Sequence, residues 1–128
     1  MNLVDSSAWL EYFADGPNAA FFEPAITRKV ELLVPTIVIF EVCKRVLQQR
    51  SEEEALRAVS ILHSGAVVAL SDELAVRAAG VSHELKLPMA DSIILATAQA
   101  HRAVIWTQDA DFRDLPNVKF RPGKRAKS

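Results

Sequence analysis

Four carboxylates, Asp5, Glu41, Asp91 and Asp109, stand far apart along the chain, each beside the end of an apolar run or near the start of an apolar helix. Glu41 lies among Ile37, Val38, Ile39, Phe40, Val42 and Cys43, where a solvated glutamate is not expected. Carboxylates brought together repel, by about 3 kcal/mol for a pair ~5 Å apart at an effective dielectric of 20. A cluster must therefore protonate in part or take up a cation. All-oxygen ligation suits a hard divalent ion, Mg²⁺ or Mn²⁺. Such an ion can activate water and stabilise in-line displacement at phosphorus. One ion or two are both compatible with this set. Ser7 and Thr107 are short hydroxyls near Asp5 and Asp109, suited to orienting carboxylates, and Asp111 is assigned a supporting part. Each acid alone also has an ordinary role, in a turn, at a helix dipole or in a loop. Together they favour chemistry.

The elements that must position these groups can be read from apolar runs and capping residues. Asn2 to Val4 reads as a first strand ending at Asp5, and Ser7 to Ala14 as a short helix. Asp15-Gly16-Pro17 is a turn. Asn18 to Lys29 reads as helical, with Asn18 a candidate N-cap and Pro24 a kink or restart. Glu31 to Val34 is a second strand, and Thr36 is a candidate N-cap for a helix reaching about Arg50. Ser51 and Glu54 form a capping box opening a helix to about His63. Ala66 to Leu70 is a third strand, and Ser71 caps a helix to about Lys86. After Pro88, Met89 to His101 is a helix apolar nearly all round, which belongs in a core. Ala103 to Trp106 is a fourth strand and Asn117 to Phe120 a candidate fifth.

Strands alternating with helices predict an α/β fold, a parallel sheet of four to five strands covered on both faces. In that topology Asp5 ends the first strand, Glu41 follows the second within a helix, Asp91 opens the helix before the fourth strand, and Asp109 follows that strand. All four belong at the C-terminal edge of the sheet, where open α/β sheets place their ligands. His63, His83 and His101 fall toward helix C-termini, expected at the opposite edge, which disfavours histidine-based RNA cleavage and a zinc site.

Composition removes other classes. A chain of 128 residues, half hydrophobic and a quarter charged, fits one globular domain. The lone Cys43 allows no disulfide within the chain and reads as packing. The four glycines build no phosphate-binding loop. No apolar run is long enough for a bilayer, and Asp5 interrupts any leader core, so a cytoplasmic domain is expected, with no membrane partner. The net charge of −1 hides an asymmetry: residues 119 to 128 hold five cations and no acid, leaving 10 basic against 16 acidic residues before them, a net of −6. Such a tail either holds a polyanion or merely solubilises the chain.

Val4-Asp5-Ser6-Ser7-Ala8, Glu41 on its helix, Ala90-Asp91-Ser92-Ile93-Ile94-Leu95-Ala96-Thr97-Ala98 and Thr107-Gln108-Asp109-Ala110-Asp111-Phe112 together resemble the PIN domain, in particular VapC-type toxins of toxin–antitoxin pairs. The likeness spans residues 1 to about 120, taken as a nuclease domain, with residues 121–128 as a basic tail. It implies a three-layer α/β/α sandwich of strand order 3-2-1-4-5 and a Mg²⁺/Mn²⁺-dependent endoribonuclease. Asp5, Glu41, Asp91 and Asp109 would be its catalytic and metal-binding residues. An RNA substrate, tRNA being one candidate, a VapB-type antitoxin and a homodimer are also implied. Trp106 and Gln108 depart from the usual pattern, which bears on substrate preference rather than chemistry.

With water as nucleophile, the products would carry 5′-phosphate and 3′-hydroxyl ends. The aromatic set Trp9, Tyr12, Phe13, Phe21 and Phe22 is a candidate groove for an antitoxin segment or subunit, with exposure of Trp9 and Phe22 as its criterion. A catalytically silent RNA- or protein-binding domain is the alternative. A phosphoryl-transfer enzyme with Asp5 as nucleophile is weaker. Ser7 stands where a haloacid dehalogenase needs a second aspartate, and no lysine follows strand four as a receiver domain requires.

Overall fold

A computed structural model describes residues 1–124; residues 125–128, half of the expected basic tail, lie outside the described residues. The chain runs β1 (Asn2–Val4), α1 (Ser6–Phe13), α2 (Ala19–Thr27), β2 (Leu32–Pro35), α3 (Thr36–Gln49), α4 (Glu52–Leu62), β3 (Ala66–Val68), α5 (Asp72–Leu85), α6 (Met89–Ala100), β4 (Val104–Thr107) and β5 (Val118–Phe120). Single 3₁₀ turns at Lys29–Glu31 and Ala110–Phe112 lead into β2 and follow β4.

The strands form one parallel sheet in the order β3-β2-β1-β4-β5. From β1 the chain steps outward twice, to β2 and β3, then crosses back to β4 on the other side of β1. Right-handed crossovers therefore put α1–α2 and α5–α6 on opposite faces, giving the α/β/α layers. The direction changes between β1 and β4. That switch point is where the chain leaves a crevice at the carboxyl ends of the strands.

Short, fully apolar strands can exist only if both faces are covered. Leu3, Val4, Leu33, Val34 and Ile105 are buried, packed with Trp9 and Phe22 from one side and Ile94 and Leu95 from α6. Every residue of α6 from Ser92 to Ala98 is buried, and its hydroxyls turn inward to the helix backbone: Thr97 Oγ1 donates to Ile93 O at 2.7 Å and Ser92 Oγ to Pro88 O at 2.8 Å. This lets Asp91, one residue before the buried run, be held rigidly at the sheet edge.

The caps expected at Ser51 and Ser71 are present: their hydroxyls accept from Glu54 N and Leu74 N, each at 3.1 Å. Three expectations differ. Thr36 is the first helical residue of α3 and makes no cap bond; Pro35, fixed in extended backbone, precedes it instead. Pro24 sits inside α2 without ending it. Asn18 precedes α2 but makes no cap bond, because its side chain is committed elsewhere. The aromatic groove is also overturned in its expected form: Trp9 and Phe22 are wholly buried within the one chain. Trp9 stacks on Phe13 with ring centroids 5.6 Å apart. No helix among the described residues is long and apolar enough to cross a membrane.

Candidate active site

Asp5 leaves β1 as the N-cap of α1. Its Oδ1 accepts from Ser7 N at 2.6 Å, and Ser7 Oγ lies 3.3 Å from Oδ2. Thr107, the last residue of β4, donates its hydroxyl to Oδ2 and accepts from Asp109 N at 2.8 Å. One buried threonine thus connects the carboxylate after β1 to the loop after β4, across the switch point. Asp5 is 3 % exposed, and burial pushes its carboxyl up to about 6; the Thr107 hydroxyl and Ser7 N–H oppose that rise, and the Asp109 charge adds to it.

Asp91, in the first turn of α6, faces the loop after β4. Ligand oxygens of Asp91, Asp109 and Asp111 lie within 4.8 Å of one another. Partial burial raises the Asp91 carboxyl to about 8, reinforced by the charge of Asp109, by hydrogen bonds to Asp111 and Asp109, and by the charge of Asp5. Asp109 caps the 3₁₀ turn by accepting from Asp111 N at 2.9 Å, which holds its carboxylate against the backbone of that turn.

Glu41 enters one turn into α3 and reaches the others through Ser6, a residue that spacing and type alone do not single out. Ser6 Oγ donates to Glu41 Oε1 at 2.7 Å and lies 3.4 Å from Asp5 Oδ1. Ser6 and Ser7 are chemically identical neighbours; the turn into α1 points one at Glu41 and the other toward Gln108, whose backbone N–H donates to Ser7 Oγ at 3.1 Å. Only three-dimensional structure separates their roles. Gln108 and Asn18 are the other residues that sequence reasoning misses. Asn18 is buried, and its amide donates to Gln108 Oε1 at 2.7 Å and to Pro122 O at 2.9 Å, partners 90 and 104 residues away.

All four expected carboxylates are thus found around one edge of the sheet, but not evenly. Asp91, Asp109 and Asp111 form the tight group. Asp5 adjoins this group through its charge and Thr107, and Glu41 adjoins Asp5 through Ser6. The donor set fits a small divalent cation: every donor atom is a carboxylate oxygen, and the 4.8 Å spread approaches the span of an octahedral oxygen shell, about 4.2 Å across for Mg²⁺.

The histidines divide differently from expectation. His63 and His101 sit at helix ends leading into β3 and β4, where ring Nδ1 of each lies 3.0 Å from the carbonyl four residues back. His83 does not belong to that opposite edge. Only Lys86 to Pro88 join α5 to α6, and Ser82 Oγ donates to Leu87 O in that turn, so His83 lies on the side where α6 begins. It is exposed and makes no hydrogen bond among the described residues.

Residues 3–118 match the PIN domain family model, and the chain belongs to that family. Its fold is similar to a toxin–antitoxin complex from Klebsiella pneumoniae, 26% identical over 92% of this chain and 95% of that one, with a TM-score of 0.76. It also resembles VapC20 of Mycobacterium tuberculosis, described as a sarcin–ricin-loop-cleaving toxin, 18% identical over 95% of this chain and all of the other, with a TM-score of 0.77. VapBC2 of Rickettsia felis, bound to promoter DNA, is 16% identical over 94% of this chain and 97% of that one, with a TM-score of 0.72. No curated protein matches the sequence.

Proposed function

We propose that this PIN domain is a metal-dependent endoribonuclease and the toxin of a toxin–antitoxin pair, hydrolysing RNA phosphodiesters to 5′-phosphate and 3′-hydroxyl ends. The observation that carries this reading is the carboxylate trio Asp91–Asp109–Asp111 beside the buried Asp5, where burial first and neighbouring negative charge second raise the pKa values of Asp5 and Asp91. Such a group is unfavourable when fully ionised unless a cation enters it.

Asp91, Asp109 and Asp111 would hold Mg²⁺ or Mn²⁺, with Asp5 and Glu41 facing the same ion or a neighbouring one. When bound, the ion supplies Lewis acidity and neutralises charge on the phosphate and leaving oxygen. The chain's own residues do the rest. Thr107, Ser7 N and Ser6 occupy both oxygens of Asp5, so its carboxylate cannot swing away. Ser6 holds one oxygen of Glu41 and leaves the other to orient the attacking water. Burial and the neighbouring Asp109 and Asp111 favour the protonated form of Asp91 in the metal-free chain, a proton that a bound cation would displace.

The antitoxin partner rests on the similarity to the Klebsiella complex. Its candidate seat is a groove of about 230 Å³ at the C-terminal ends of α1 and α3, lined by Leu10, Phe13, Val46 and Ile61 and rimmed by Arg50 and Arg57. The homodimer is carried as part of the same reading, and the exposed Phe40 and Leu47 on α3 offer apolar surface for it. A cytoplasmic location and the division into a nuclease domain at 1–120 and a basic tail at 121–128 belong to it too.

The deciding experiment expresses the chain alone in a bacterium, wild type against Asp91→Ala, and maps new RNA 5′ ends. Growth arrest with new 5′-phosphate ends in the wild type only is expected. A wild type that produces no new ends overturns the reading.

A further inference from the structure

On the α2 flank of the site, two cations rest on two aromatic rings. Lys119 Nζ lies 4.8 Å from the ring centroid of Trp106, and the Arg121 guanidinium carbon lies 4.3 Å from that of Phe21. The rings touch, with centroids 5.6 Å apart. Trp106 is itself fixed, its indole N–H donating to Asn2 Oδ1 at 3.0 Å. We propose that Lys119 and Arg121, seated on Trp106 and Phe21, form a contact strip for successive phosphates of the RNA strand that enters the carboxylate site, an inference that rests on the nuclease reading above.

Four observations support it. First, position: Arg121 N donates to Thr107 O at 3.0 Å, while the Thr107 hydroxyl donates to Asp5. A single residue of β4 therefore separates the backbone that carries the strip from the buried carboxylate. Second, spacing: Lys119 and Arg121 alternate along an extended segment and share one side of it, about 6.7 Å apart along the chain, which suits neighbouring phosphates. Third, charge: both cations are exposed, and the ion pairs among the described residues are Arg50–Glu54, Arg57–Glu53 and Arg113–Asp114, so no carboxylate neutralises either one. A polyanion approaching a body of net −6 needs such a foothold beside the acids. Fourth, rigidity: the segment carrying Arg121 is tied down. Buried Asn18 donates to Pro122 O and to Gln108, and Gly123 lies against the Gln108 amide. A cation already seated loses less freedom when it binds, and a guanidinium held over a ring keeps its planar edge free for phosphate oxygens.

β5 is also a sheet edge, and lysines on edges discourage strand pairing. That role alone would account for Lys119. It does not account for Arg121, which lies beyond the strand on its own ring.

The test uses full-length Asp5→Asn, so that RNA survives, with a labelled single-stranded oligouridylate titrated at several salt concentrations. Lys119→Gln with Arg121→Gln is expected to flatten the plot of log K against log salt by about 1.4, at ~0.7 for each phosphate of a single strand that the protein no longer neutralises. The charge-preserving pair Lys119→Arg and Arg121→Lys is expected to keep the slope. A folded double-glutamine variant with unchanged slope and affinity overturns the strip and leaves Lys119 as edge protection. With Asp5 intact, the same double variant is expected to raise KM for RNA cleavage severalfold with little change in kcat. An unchanged KM also overturns the strip while the nuclease reading stands. A wild type that binds with the full slope yet cleaves nothing overturns the nuclease reading and leaves the strip.

Discussion

The two edges of the sheet treat polar groups in opposite ways. At the edge where α4 and α6 end, the polar side chains of the helix ends are satisfied locally: His63 and His101 meet carbonyls four residues back, and Ser64 Oγ donates to Ile61 O at 2.6 Å. At the other edge the bonds link remote segments. Ser6 reaches Glu41, 35 residues away, Gln108 reaches Ser7, 101 residues away, and Thr107 reaches Asp5, 102 residues away. Local satisfaction needs no fold, whereas remote satisfaction is available only once the fold exists. The remote set also leaves two acids with raised pKa values, a cost that a purely structural edge would have no reason to carry.

The comparison breaks first if the remote edge is chemically idle. Asp5→Asn should abolish RNA cleavage, by about three orders of magnitude or more, with a far-UV circular dichroism spectrum like the wild type. A residual rate within tenfold of wild type would place the chemistry elsewhere. Next come the hydroxyls that orient the acids. Thr107→Val should lower kcat by roughly 10- to 100-fold, as loss of an outer-shell partner does, and cost about 1–2 kcal/mol in chemical denaturation. Ser6→Ala should lower cleavage by about tenfold without changing the melting midpoint much.

The pH response sharpens the contrast further. Asp5 and Asp91 have folded-state pKa values of about 6 and about 8, both above the ordinary 3.8. The folded chain therefore holds more protons than the unfolded one between these limits, and stability falls as pH rises through that window. In metal-free buffer the melting midpoint should be higher at pH 5 than at pH 8. Added Mg²⁺ should recover more of the loss at pH 8 than at pH 5, because fewer protons compete with the ion there. A midpoint that rises with pH in metal-free buffer would contradict the assigned shifts. The smallest effect belongs to the locally satisfied edge: His63→Ala should leave cleavage unchanged within error and shift stability by less than about 1 kcal/mol.

Legibility in the sequence followed the same division. Ser51 and Ser71 were readable as caps because their partners lie three residues on. The strands and the buried α6 were readable because apolar spacing reports burial directly. The α/β order then placed Asp5, Glu41, Asp91 and Asp109 at one edge by topology alone. Asn18 misled because its type suits a helix cap, while its actual partners, Gln108 and Pro122, come from the far end of the chain. Trp9 and Phe22 misled because an apolar surplus on one helix does not say which neighbour will cover it; here the same chain does. His83 was misplaced because two helices, not one, connect β3 to β4, and the first of them ends where the second begins. For Asn18 the missing information was a contact distant in sequence; for His83 it was the path of two helices joined by a short turn.

The hydrogen bond between Thr107 and Asp5 also has a bearing on synthesis. A ribosome releases Asp5, Glu41 and Asp91 well before the hydroxyl that seats the first of them, and Asp109 emerges later still. A nascent chain therefore carries most of its acids without their arrangement. The assembled centre exists only after the last strands have joined the sheet, so translation itself delays the moment at which the carboxylate site is complete.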